Sequence, residues 1–285
     1  MSNTAHPTRR VVKVTRGMPA EDGAGVKLTR LIGTPELPDL DPILMLDNFG
    51  SDDPKAYIAG FPPHPHRGFE TVSYMITGSL KHQDNKGGEG LITDGGVQWM
   101  TAGRGVVHSE MPAQTSGLMY GFQLWLNLPA NEKMRAPWYR DIPAAEIPQF
   151  AAGEGATVKL IAGLWGDRQG AGPERVTEPF IVDVALAPNA TTVVPIPEGH
   201  NAFVYAFEGS VKLGPASAAQ QLNRGDLAII SLGEGLAATG GAEGGRLLVV
   251  AAKPLREPIA KYGPFVMNTQ DELRQAFSDY QRGLF

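Results

Sequence analysis

The chain has no cysteine. Disulfides, thiolate nucleophiles and thiolate metal ligands are therefore excluded together, and any bound metal must be held by nitrogen and oxygen. Positive charge is not concentrated either: 25 Lys and Arg against 30 Asp and Glu leave a formal net charge of -5, and no basic run exceeds Arg9-Arg10. Without a basic stripe there is no electrostatic footprint for a phosphate backbone, so direct nucleic-acid binding is not expected. No stretch approaches the roughly 18 uninterrupted apolar residues of a membrane span, and MSNTAHPTRRVVKV lacks an apolar secretory core. The expectation is a cytoplasmic protein with no membrane partner.

What the chain does have is turns and a core. It carries 35 glycines and 23 prolines in 285 residues, well above the roughly 12 per cent of average usage, yet is 42% hydrophobic. Its apolar segments are short and rich in β-branched and aromatic residues: VVKVTR, TVSYMIT, GFQLWLNL, FIVDVAL, TTVVPI, AFVYAFEG and LLVVAA, each bounded by turn formers. This predicts an all-β fold of sandwich or jelly-roll type. YMITGSLKH is echoed by YAFEGSVKL, and DGGVQWMTAGRG by NRGDLAIISLGEG, so the length is read as two tandem barrels. The Pro-rich stretch PANEKMRAPWYRDIPAAEIPQ separates them, giving domains 1–135 and 150–285 with a linker at 136–149. One helix is predicted at the end, where Thr269 and Glu272 have capping-box spacing and Leu273, Ala276, Phe277 and Tyr280 share a face up to Gly283.

The segment FPPHPHRGFE holds His64, His66 and Glu70. Alternate residues of a strand face one side, so all three share a face if the strand runs unbroken from 64 to 70. RGVVHSEMP repeats the arrangement, with His108 and Glu110 at strand parity behind the turn Gly103 to Gly105. A lone buried histidine is usually a core residue with a hydrogen bond. Five donor residues in two strand-parity sets, drawn from a chain with six histidines, point instead to a site for a borderline divalent ion such as Fe, Mn, Ni, Cu or Zn. His6 and His82 read as exposed tail and turn residues. Aligning Gly209 on Gly78 sets Pro195 and Pro197 against His64 and His66, and Asn201 against Glu70. Aligning Gly233 and Gly235 on Gly103 and Gly105 sets Ala238 against His108 and Gly240 against Glu110. The second half thus lacks ligands, and His200 misses the register and reads as a loop or surface residue.

HPHRGFETVSYMITG, GGVQWMTAGRGVVHSEMP and KPLREPIAKYGPFVMNTQDELRQAF together resemble the pirin family of the cupin superfamily. The resemblance implies a bicupin whose N-terminal barrel holds one metal, iron first, with Mn, Ni, Cu, Zn or Co as other candidates, and whose C-terminal barrel is empty. It implies His64, His66, His108 and Glu110 as the ligands. Glu70, a ligand position in many other cupins, is then displaced to hydrogen-bond Arg67, Arg104 or a ligand imidazole. Four donors leave two octahedral positions open. The resemblance further implies a quercetin 2,3-dioxygenase acting on flavonols with O2, with Glu110 accepting the proton of the flavonol 3-hydroxyl. Phe61, Trp99, Met100, Leu118 and Met119 are candidates for its apolar pocket. The other implied class is a non-enzymatic metal-binding regulator that modulates a protein partner.

Overall fold

The computed structural model describes residues 8–285, so His6 lies outside the described residues. Two compact units emerge, one made of Met18–Ala144 with Leu255–Phe285 and the other of residues 8–17 with Ala145–Pro254. This division differs from the expected 1–135 and 150–285, because each end of the chain joins the unit built mainly from the opposite half. Strand β1 (Val11–Arg16) pairs with Asp226–Ile230 of the second unit. The terminal helix belongs to the first unit. Composition carries no sign of such an exchange, because a short strand reads the same whichever sheet it joins.

The first unit contains β2 (Met18–Asp22), β3 (Val26–Ile32), β4 (Ile43–Ser51), β5 (Phe61–His66), β6 (Phe69–Thr77), β7 (Leu80–Asp84), β8 (Glu89–Ile92), β9 (Val97–Thr101), β10 (Val106–Pro112), β11 (Met119–Asn127) and β12 (Trp138–Ile142). Seven strands form one sheet in the order β12-β9-β6-β11-β4-β3-β2, and four form another, β5-β10-β7-β8. The expected linker 136–149 therefore contains a strand: Trp138–Ile142 pairs with β9. Pro137 and Pro143, which read as breakers, mark the ends of an edge strand, a position where proline is tolerated. The same rule explains why Pro62, Pro63 and Pro65 are compatible with β5, the edge of the four-stranded sheet.

The helix α1 (Gln270–Gln281) forms as predicted. Thr269 Oγ1 accepts from the Glu272 amide at 3.2 Å, and Glu272 Oε2 accepts from the Thr269 amide at 2.9 Å, completing the capping box. Leu273 and Ala276 are buried. They pack with Ala260, Phe265, Met267 and Phe285 in a small apolar cluster.

The second unit is a nine-stranded sheet around a core made of Val, Leu, Ile, Ala and Phe, including Val158, Val182, Val194, Val204, Ala238 and Val249. Strand pairing revises the expected register. Thr192 lies opposite Ala238 and Val194 opposite Leu236, as His64 lies opposite His108 and His66 opposite Val106 in the first unit. The counterparts of His64 and His66 are therefore Thr192 and Val194, three residues earlier than Pro195 and Pro197. Residues 195–200 connect the strands Thr191–Val194 and Asn201–Leu213, where only Arg67 and Gly68 connect β5 and β6, so counting back from Gly209 by the spacing of the first unit stops three residues short. His200 does lie in this connection but is buried, with Nε2 3.0 Å from the Glu178 carbonyl. Arg9, fully buried, donates to the Pro197, His200 and Ser231 carbonyls.

Candidate metal centre

Strand register explains how three imidazoles meet. His64 on β5 and His108 on β10 are directly paired, so their side chains project from the same face, and His66 follows two residues on. The ring centroids of His64 lie 4.6 Å from His66 and 4.5 Å from His108, and those of His66 and His108 are 5.1 Å apart. One ring nitrogen from each falls within 4.8 Å of the others.

The hydrogen-bond pattern around these rings suits a cation. His64 Nδ1 lies 2.8 Å from the Pro62 carbonyl, a contact that takes the ring proton and leaves the Nε2 lone pair free. That Nε2 faces His66 Nε2 at 2.9 Å, so two donor atoms converge on one point. Both ring nitrogens of His108 are buried without a hydrogen-bond partner within the protein. Buried polar atoms are nearly always paired, so an orphaned imidazole beside two converging Nε2 atoms matches the donor set of a borderline divalent ion. Burial first, and the neighbouring imidazoles second, hold the His66 and His108 pKa values well below the ordinary histidine value, keeping both rings neutral, the form that binds metal.

The two carboxylates part company. Glu110 is buried on β10 outside the three-imidazole group. Its Oε1 accepts from Ser73 Oγ at 3.1 Å and its Oε2 from Gln123 Nε2 at 3.2 Å. Ser73 Oγ also lies against Gln123 Oε1, so its single proton is shared between the two acceptors. Glu70 does not share a face with His64 and His66, because the strand is broken: β5 ends at His66, and Gly68, at φ +90°, turns the chain into β6. On β6, Phe69 meets the His66 ring at 5.1 Å and Ser73 reaches Glu110, so Glu70 points to the other side, where it accepts from Thr101 Oγ1 at 2.5 Å.

A cavity of about 810 Å³ opens onto this centre, lined by His64, His66, Glu110 and Gln123 together with Phe49, Phe61, Trp125 and Pro264. Of the five expected pocket residues, Phe61 lines it, Trp99, Met100 and Met119 are buried in packing, and Leu118 is 44% exposed. Gln123 and Trp125 went unnoticed although β11 announces them: they alternate with the buried Phe122, Leu124 and Leu126, so both face the cavity. His82, expected to be an exposed turn residue, is buried opposite Glu110 on β7, beside Gln98 and 3.6 Å from Asp141.

Among the described residues no helix is long and apolar enough to cross a membrane. Residues 25–126 match the Pirin family and residues 181–285 the Pirin C-terminal cupin domain. The chain is 47% identical over 281 residues to a Pseudomonas aeruginosa protein provisionally named quercetin 2,3-dioxygenase, covering 97% of this chain and 98% of that one. It is 39% identical over 264 residues to human pirin, covering 91% and 88%. Its fold superposes on the crystal structure of quercetin 2,3-dioxygenase from Acinetobacter baumannii with a TM-score of 0.89 at 34% identity, over 98% of each chain. Two barrels from one duplicated pattern, with donors gathered, among the described residues, in the first of them, agree with these likenesses: the chain belongs to the pirin family of bicupins.

Proposed function

We propose that the protein is a metal-dependent dioxygenase of the quercetin 2,3-dioxygenase type acting on flavonols, with His64, His66, His108 and Glu110 as the metal donors and iron as the metal. The observation that carries this reading is the convergence of three imidazoles, with one ring nitrogen from each within 4.8 Å of the others and two of the rings lining a cavity large enough for a three-ring aromatic. A divalent transition metal held there supplies Lewis acidity and one-electron chemistry with dioxygen.

The chain's own residues divide the remaining work. Phe49, Phe61 and Trp125 offer apolar surface to flat rings. Glu110 takes the proton of the flavonol 3-hydroxyl, and Ser73 and Gln123, which already donate to its two oxygens, hold the carboxylate in place while it does so. The overall change consumes one flavonol and one O2 and releases carbon monoxide and a depside. The test is to follow the visible absorbance of quercetin under air with iron-loaded and metal-free protein. Loss of absorbance with carbon monoxide release in the loaded form alone supports the reading. The likeness to human pirin favours a second reading, a metal-binding regulator of a protein partner. That reading predicts no turnover in the same assay and a metal-dependent change at the protein surface.

A further inference from the structure

The segment after residue 255 belongs to the same unit as the metal centre, and its contacts concentrate on one residue beside a ligand. Arg67 follows His66 directly and is 3% exposed. Its amide donates to the Pro264 carbonyl at 3.3 Å, and its carbonyl accepts from the Val266 amide at 3.0 Å, forming a parallel bridge to Phe265. A Cβ on Gly68 would fall onto the Val266 carbonyl oxygen, so the turn and the segment are in direct backbone contact. Lys133 Nζ, buried, donates to both the Gly68 and Val266 carbonyls, at 2.8 and 3.0 Å.

The Arg67 side chain extends this contact to the other ligand strand. Its Nε donates to the Arg104 carbonyl at 2.6 Å, within the Gly103 to Gly105 turn that leads into His108, and Gly68 donates to the Gly103 carbonyl at 2.9 Å. Its Nη1 pairs with Asp279 on α1 at 2.8 Å, and its guanidinium lies 4.3 Å from the Phe285 ring centroid. Phe285 closes the circuit: a Cβ on Gly105 would meet its ring at 2.7 Å, and its carbonyl accepts from Asn85 Nδ2 and Lys86 Nζ, both at 2.8 Å. Asn85 in turn exchanges two hydrogen bonds with Val107, the residue before His108. Arg67 thus forms the turn after His66 with its backbone, while its guanidinium touches the turn before His108 and the segment packed against both.

We propose that residues 260–285 form a brace for the metal centre and that Arg67 is its positioning residue, fixing the two turns so that the imidazole donors of β5 and β10 stay converged. This rests on the metal reading above. Partners that orient metal ligands typically change metal affinity by about 10- to 100-fold when removed, and the brace acts at that level.

The test uses the full chain loaded with Co(II), whose d–d absorption reports donor geometry, and measures cobalt release to an excess of chelator. Arg67→Met and Phe285→Ala should release cobalt about 10- to 100-fold faster than wild type with altered d–d bands, and Phe285→Tyr should restore both. Arg9→Met, which removes the buried arginine of the other unit, should lower thermal stability yet release cobalt at the wild-type rate. Should Arg67→Met fail to fold, Asp279→Asn, which keeps every backbone contact, still predicts faster release. Wild-type release and unchanged bands in Phe285→Ala and Asp279→Asn overturn the brace while leaving the metal site intact. A wild-type chain that takes up no cobalt overturns the metal reading, and the brace with it.

Discussion

The same strand pairing places His64 opposite His108 in one barrel and Thr192 opposite Ala238 in the other. The second barrel shows what the interior becomes when only packing is served: Val194, Val204, Leu236 and Ala238 fill it. The first barrel gives up that packing for three converging imidazoles, of which His108 keeps both ring nitrogens without a protein partner, a buried group of that kind costing about 1–3 kcal/mol when left unpaired. Donors are thus not needed for the barrel to close, and under the reading proposed above their presence in one copy serves a bound metal and not the fold.

The largest effect that sharpens this contrast is loss of the metal. His108→Ala or His66→Ala should bring metal content per chain close to background, because either substitution leaves only two imidazoles of the three. Elemental analysis of purified protein checks this, and full retention in both variants removes the site. The converse experiment acts on the packed barrel: Phe180→Ala should cost about 3–5 kcal/mol of stability in denaturant unfolding. Metal content per folded chain should be unchanged.

Next in size is the separation of the carboxylates. At matched metal content, Glu110→Gln should lower flavonol turnover by at least about 100-fold, the usual loss with a general base. Glu70→Gln should leave turnover near wild type, because its carboxylate lies on the opposite face of β6, accepting from Thr101. If the two effects exchange, the role given to Glu110 is wrong.

The smallest effects are in pH. The imidazoles of His66 and His108 are held below their unfolded value near 6.5, so in metal-free protein the unfolded chain binds more protons in the window below 6.5. Their contribution is complete above pH 6.5 and is lost as pH falls, and His108→Phe should flatten the acid limb of stability against pH. Lys133 is lowered by burial to about 8, opposed by Glu257 and Glu272. Between pH 8 and its unfolded value of 10.5 the unfolded chain holds a proton the folded chain has released, so stability should rise with pH there, and Lys133→Met should remove the rise.

Much of the candidate site was legible because its information is local. Two donors at strand parity beside a glycine turn can be read without a partner, and the capping box of α1 needs only four residues. What was missed depends on nonlocal facts. Glu70 fell on the wrong face because Gly68 breaks a strand that spacing alone lets run on. His82 looked exposed because its strand is short and polar, and only pairing with β10 buries it. The Thr192 register was hidden by the longer connection at 195–200. The attachment of residues 255–285 to the unit that holds the imidazole cluster could not be read at all, since Arg67, Lys133 and Phe285 become partners only through contacts that span 133 or more residues.

The most direct measurement is anomalous X-ray diffraction at the iron edge on crystals of the iron-loaded chain. The account predicts a single strong peak per chain, among His64, His66 and His108, with nothing at Thr192, Val194 and Ala238. A second peak in the apolar barrel, or an empty triad in iron-saturated crystals, would contradict it.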